Sequence, residues 1–161
     1  MSHAPAPPRS ADEQTRLDAT LTELFETSIR FNQVLGVRVR QLRPQAQFVF
    51  EMRAELVGHF LSGRLHGGVI AAVLDALGGF ALMVAAGDKH AHETADQVLH
   101  RFARLGTIDL RVDYLRPGVG QQFTASAEVT RLGGRVGSTQ MRLVNEQGRL
   151  IATAAGAYMI S

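Results

Sequence analysis

Two residue types in one short stretch set the chemical question. From His66 the chain reads HGGVIAAVLDALGGFALMVAAG, a small-residue, almost wholly apolar run whose single charge is Asp75. If Gly67 and Gly68 open a helix there, its first backbone N–H groups lack intrahelical partners. The helix dipole adds about half a positive charge at that end, and glycine lets another group come close to the backbone. That combination suits an oxygen developing negative charge. A carboxylate in an apolar helix can accept a proton or attack as a nucleophile; it can equally be a structural hydrogen-bonding group. The spacing restricts how the two ends cooperate. Eight helical residues separate Gly67 from Asp75, about 12 Å at 1.5 Å per residue, whereas catalytic contacts are about 3 Å. The two groups therefore need a second copy of the chain, or they do different jobs.

The remaining sequence must hold this helix. At 161 residues, with 45% hydrophobic and 20% charged residues, the chain reads as one globular domain with a sizeable core. Its sixteen arginines face a single lysine, Lys89. They are scattered through strand-like segments without a nucleic-acid-binding motif, so no nucleic-acid partner is expected. With no cysteine there is no disulfide, thiol nucleophile or cysteine-bound metal. The His-x-His of HAHE at 90–93 lacks further ligands and reads as a solvated loop, so no metal is expected. Residues 1–10 read as a disordered Pro/Ala tail without the apolar core of a signal peptide, which predicts a cytoplasmic protein. The run at 69–86 is long enough to span a membrane, but a central Asp costs about 2.5–3.5 kcal/mol on insertion; a buried helix is expected.

Ser10 with Glu13 starts a helix expected over 11–33, with Leu17, Leu21, Leu24, Phe25 and Ile29 at helical spacing. Two alternating strands follow, joined near Arg43-Pro44, then a loop at 55–65, the long helix at 67–86, and a short helix that Thr94 and Gln97 cap. Four alternating runs, TIDLRVDYLRP, QFTASAEVTRL, VGSTQMRLVNE and RLIATAAGAYMI, close the chain as an antiparallel meander. The class is α+β. A helix apolar nearly all round has to be wrapped, so a curved, six-stranded antiparallel sheet around one central helix is predicted. Gly78 and Gly79 are expected to permit close helix–sheet packing.

The combination of LHGGVIAAVLDALGG at 65–79, GTIDLRVDYLRPG at 106–118 and GRLIATAAGAYMI at 148–160 resembles the hotdog-fold acyl-CoA thioesterases of the PaaI-like, phenylacetate-degradation type. The resemblance covers residues 30–160, so 11–161 is expected to be a single hotdog domain. It implies a homodimer or a dimer of dimers, no cofactor, an acyl-CoA substrate with a medium-chain or aryl group, and a site shared across the dimer. The acyl pocket would be lined from both subunits. Gly67 would provide the oxyanion hole. Asp75, buried near the interface, would act as general base or nucleophile, and Thr107 would hold the attacking water, unless it is simply a β-branched strand residue. His66 would orient the helix entry, beside Gly68. The family's amide or other polar residue before His-Gly-Gly is missing; His59 is its nearest equivalent. Arg116 and Arg135, at strand ends, are candidates for the CoA phosphates.

Two other functions remain open at this stage. GHF at 58–60 resembles the start of the His-Phe-Pro motif of hydroxyacyl dehydratases on the same fold, although the prolines are absent and the acid spacing differs. A non-catalytic acyl-CoA binder would keep the pocket without turnover.

Overall fold

The computed structural model describes residues 7–160. Of the expected tail, residues 1–6 lie outside the described residues. Arg9 is fastened to the far end of the central helix, its guanidinium donating to the carbonyls of Gly87, His90 and Glu93.

Helix α1 (Ala11–Glu23) begins at Ser10, whose side chain accepts the Glu13 N–H. The expected single helix over 11–33 is broken. A π-helical turn (Leu24–Ser28) ends at Ile29, which is extended, and α2 (Arg30–Leu35) restarts the helix. The break frees the Phe25 carbonyl, and the buried Asn32 takes it up, its Nδ2 donating at 3.0 Å. Strands β1 (Arg38–Gln41) and β2 (Ala46–Glu51) flank a turn containing Arg43. Its guanidinium ties Asp18 of α1 to Asp88 near the end of the long helix.

The expected loop at 55–65 contains structure: a 3-10 turn (Ala54–Leu56), then β3 (Val57–His59) paired with β4 (Arg64–Leu65) as a separate two-stranded ribbon. Helix α3 runs Gly67–Lys89, one turn beyond the expected end. Helix α4 (Ala95–Arg101) carries the expected capping box between Thr94 and Gln97 and passes into a 3-10 turn (Phe102–Arg104). Strands β5 (Gly106–Tyr114), β6 (Gln122–Leu132), β7 (Val136–Asn145) and β8 (Leu150–Met159) complete the sheet.

The main sheet has six antiparallel strands in the order β1-β2-β6-β7-β8-β5, so β1 and β5 are its edges. Inward positions alternate as the period-2 pattern requires: Phe48 and Phe50 on β2, Phe123 and Ala125 on β6, Met141 and Leu143 on β7 are all buried. Helix α3 packs against β2, β5, β6, β7 and β8, which is the hotdog arrangement. Its length and apolar composition match a membrane span, but the sheet and α1 bury most of it. Phe80 of α3 meets Phe25 edge-on at 4.9 Å and Phe48 at 5.1 Å, joining the π turn, the helix and the sheet through one aromatic cluster. Each such pair adds about 0.5–1.5 kcal/mol beyond area burial. Gly78 is required by contact: a Cβ there would lie 2.1 Å from Tyr158 Oη. Gly79 is not held this way, since its nearest neighbour would be Leu105 Cδ2 at 3.5 Å.

Candidate active site

Edge strand β5 organises the site, and one irregularity decides how. Leu110 and Val112 pack towards the core, and Tyr114 Oη donates to the Gly67 carbonyl at 3.0 Å, so even-numbered residues face the helix. Strict alternation would send Thr107 to the outer face. The register against β8 shifts between Thr107 and Asp109, leaving Ile108 as the extra residue of a β-bulge. A bulge re-aims the neighbouring side chain. Thr107 accordingly turns inward, and its Oγ1 donates to Asp75 Oδ1 at 2.9 Å.

Asp75 is half-buried in this chain rather than buried, because it opens onto a cleft of about 300 Å³ that Thr107, Ala76, Gly79, Leu105 and Ile29 also line. Thr107 is the one residue whose hydrogen bond to this carboxylate has ordinary length and angle among the described residues. Below it, Tyr158 Oη donates to the Asp75 backbone carbonyl at 3.2 Å. Burial, and after it the Asp75 carboxylate, push the Tyr158 phenol well above its ordinary range. Tyr158 is therefore a permanent donor.

At the start of α3, His66 is the N-cap, and its Nδ1 accepts the Gly68 N–H at 2.9 Å. That cap occupies Gly68, so Gly68 is not free to bind a substrate oxygen. The Gly67 N–H has no partner among the described residues. The two candidate halves thus sit at opposite ends of β5: Gly67 with Tyr114, and Asp75 with Thr107.

The other sequence candidates are dispersed. His59, on the ribbon, has its Nδ1 3.2 Å from Ser62 Oγ and stacks on Phe60; it is not part of the Asp75 cleft. Arg116 lies beyond the Tyr114 end of β5 and donates to the Leu150 carbonyl. Arg135 lies at the β6–β7 turn, level with the Gly106 end, since Val136 and Gly106 both pair with Met159. The two arginines therefore do not converge on one phosphate group within a chain. The His90 ring of HAHE lies 3.7 Å from Glu93.

The sequence reading assigned no role to the residues that brace the two halves. The chain has only two tyrosines, Tyr114 and Tyr158. One hydrogen-bonds Gly67, and the other Asp75. For Tyr158 the available signal was a hydroxyl-bearing aromatic in a nearly apolar strand, LIATAAGAYM; the mixed β5 offered none for Tyr114.

The model of the thioesterase superfamily matches residues 62–152, a span that contains Gly67, Asp75 and Thr107. The chain belongs to the thioesterase superfamily. This superfamily member is 38% identical over 139 residues to the medium/long-chain acyl-CoA thioesterase YigI of Escherichia coli K12, covering 86% of this chain and 90% of that one. A crystal structure of a Shewanella oneidensis protein related to the thioesterase superfamily matches with a TM-score of 0.88 and 36% identity, over 95% of this chain and all (100%) of that one. The Escherichia coli PaaI protein of the phenylacetic acid degradation operon shares the fold, with a TM-score of 0.71 at 18% identity over 94% of this chain and 95% of that one. As a thioesterase-superfamily enzyme the protein is a thioester hydrolase.

Proposed function

We propose that this thioesterase hydrolyses acyl-CoA thioesters carrying a medium-chain or aromatic acyl group, in a site shared by two copies of the chain. The observation that carries the proposal is the Asp75 carboxylate, which Thr107 holds at one oxygen and which lines the cleft. What supports sharing is β5. It is an unpaired sheet edge whose Ile108 and Tyr114 side chains are 58% and 54% exposed, a combination that proteins ordinarily cover. Antiparallel pairing of β5 with its two-fold copy brings the Thr107 end of one against the Tyr114 end of the other. Asp75 of one copy then meets Gly67 of its partner.

In that site the Gly67 N–H, with the positive end of α3 behind it, donates to the thioester oxygen as it becomes an oxyanion. The Thr107 hydroxyl donates to Asp75 and can accept from the attacking water, while Asp75 Oδ2 takes that water's proton. Collapse of the tetrahedral adduct breaks the C–S bond, and the CoA thiolate recovers the proton from Asp75. Direct attack by Asp75 would instead give a mixed anhydride that water then opens. His66 acts by holding the helix entry, and Arg116, beside the Gly67 end, is the arginine placed for a CoA phosphate there. Following thiol release from short, medium, long and aromatic acyl-CoAs tests the proposal. Turnover should fall at least about a hundredfold in Asp75→Asn, within the range for loss of a general base. Undiminished turnover in the variant would refute the mechanism, and hydration of an enoyl-CoA without thiol release would indicate the lyase.

A further inference from the structure

Ala72, Asp75, Ala76, Gly79 and Met83 fall at helical spacing and form one stripe along α3. The first four border the Asp75 cleft, and Met83 borders a second, larger cavity of about 620 Å³. The two spaces adjoin, sharing Phe25, Ile29 and Leu105 as walls. One wall of the larger cavity is the π-helical turn and the other is α4 with its 3-10 turn. Irregular π turns of this kind occur frequently at functional sites. Leu24, Ile29, Leu99 and Leu105 stay only half-buried around these spaces, whereas Thr20, Glu23 and Ser28 make the outer rim polar.

We propose that the aliphatic tail of the acyl substrate runs from Asp75 and Thr107 between Ile29 and Leu105 into this cavity, so that the tail pocket belongs to one chain although the catalytic groups come from two. The proposal rests on the acyl-CoA reading above and adds to it the location and length of the tail. The volume lies within the roughly 300–1,000 Å³ of small-molecule sites. Asp75 and Met83 are eight residues apart, about 12 Å along the helix. With carbon–carbon bonds of about 1.5 Å and angles near 111°, an extended alkyl chain advances about 1.25 Å per carbon. The stripe therefore accommodates a chain of about ten carbons, while an aryl group would fill only the space next to Asp75. Gly79 and Leu105 both line the Asp75 cleft, and a Cβ on Gly79 would stand 3.5 Å from Leu105 Cδ2, in ordinary van der Waals contact.

Binding of decanoyl-CoA and butyryl-CoA to Asp75→Asn, measured by titration calorimetry, tests this with hydrolysis suppressed. Burying a methylene is worth about a factor of four in affinity, so Asp75→Asn should bind decanoyl-CoA at least tenfold more tightly than butyryl-CoA. Adding Leu99→Trp, which fills the cavity from α4, should reduce that preference at least tenfold. Adding Thr20→Phe, a rim substitution on the surface of α1, should act in the same direction and serves if the tryptophan variant does not fold. A preference absent from Asp75→Asn, or unchanged within twofold by the added substitutions, would place the tail elsewhere and overturn the proposal. Thiol release by the wild type is read separately. An intact and Leu99-sensitive binding preference without turnover would leave the cavity assignment standing and refute the hydrolytic reading.

Discussion

Gly67→Pro isolates the proposed oxyanion donor with little other change. Gly67 is the first residue of α3, where its N–H makes no helical hydrogen bond in any case. Proline is favoured at this position, with its φ fixed near the helical value and no N–H to lose from the helix. The preceding residue is also suited: His66 has φ −65° and ψ 137°, the extended conformation that proline imposes on its neighbour. The nearest obstacle to a Cβ is the Tyr114 ring at 3.4 Å, an ordinary contact. Thermal stability should therefore stay near that of the wild type. Removing one oxyanion donor elsewhere costs about 10²–10³ in kcat, or roughly 2.7–4 kcal/mol, and a loss of that size in thiol release is expected. Gly67→Ala keeps the N–H and should retain most of the activity. The same variant tests sharing. In a two-fold dimer formed from Gly67→Pro and Asp75→Asn chains, one of the two sites combines an intact Gly67 with an intact Asp75. Random exchange of equal amounts makes about half the dimers mixed, so about a quarter of wild-type activity should return. A Gly67→Pro enzyme that folds and remains fully active refutes the oxyanion assignment; inactivity of the mixture after verified subunit exchange refutes the shared site.

Thr107→Val removes the 2.9 Å hydrogen bond to Asp75. Hydrogen bonds to charged groups are worth about 1.5–3 kcal/mol, and the exposure of Thr107 places this one at the lower end, so kcat/KM should fall about tenfold while Thr107→Ser recovers most of it. The neighbouring glycines should respond with opposite sign in denaturation experiments. Gly78→Ala puts a methyl 2.1 Å from Tyr158 Oη and 2.8 Å from Met141 Sδ, and should destabilise by about 1–3 kcal/mol. Gly79→Ala meets nothing nearer than 3.5 Å and should stabilise by up to about 1 kcal/mol through helix propensity. The phenol of Tyr158 has its pKa raised in the folded state by burial and then by Asp75, so its contribution to stability is complete below the unfolded value of about 10 and is lost as pH rises above it. Tyr158→Phe should therefore be less stable than the wild type at pH 8, and the gap should narrow in denaturant titrations carried to pH 11.

The long helix, the closing meander and the α4 cap were legible because each has a strong local signal: an apolar run, period-2 alternation, and Thr94 with Gln97. Thr107 shows where such signals stop. Alternation through Leu110, Val112 and Tyr114 points Thr107 outward, and only the register of β5 against β8 creates the bulge at Ile108 that reverses it. The first helix misled for a related reason. Leu17, Leu21, Phe25 and Ile29 keep helical spacing through a break at which the Asn32 side chain, distant in the pattern, satisfies the Phe25 carbonyl. The ribbon at 57–65 has strands of three and two residues around Gly58, Ser62 and Gly63, too short to show alternation. Arg116 and Arg135 both read as residues at strand ends; only the strand order shows that those ends are opposite ones.

Helix α3, read as apolar all round, meets a different neighbour on each side. Gly78 fits under Tyr158 of the sheet, Gly87 lies 3.1 Å in Cβ terms from Leu17 of α1, and Ala72, Asp75, Ala76 and Gly79 border the Asp75 cleft. Substitutions on the first two sides disturb packing that the whole domain shares. On the third side Gly79 meets nothing nearer than 3.5 Å, so a small side chain added there chiefly changes the shape of the cleft. Substitutions along this one helix therefore divide into those that bear on the fold and those, as at Gly79, that retune what the cleft admits. Under such a division a single step at Gly79 can change the molecules accepted while the packing on the other two sides stays as it is.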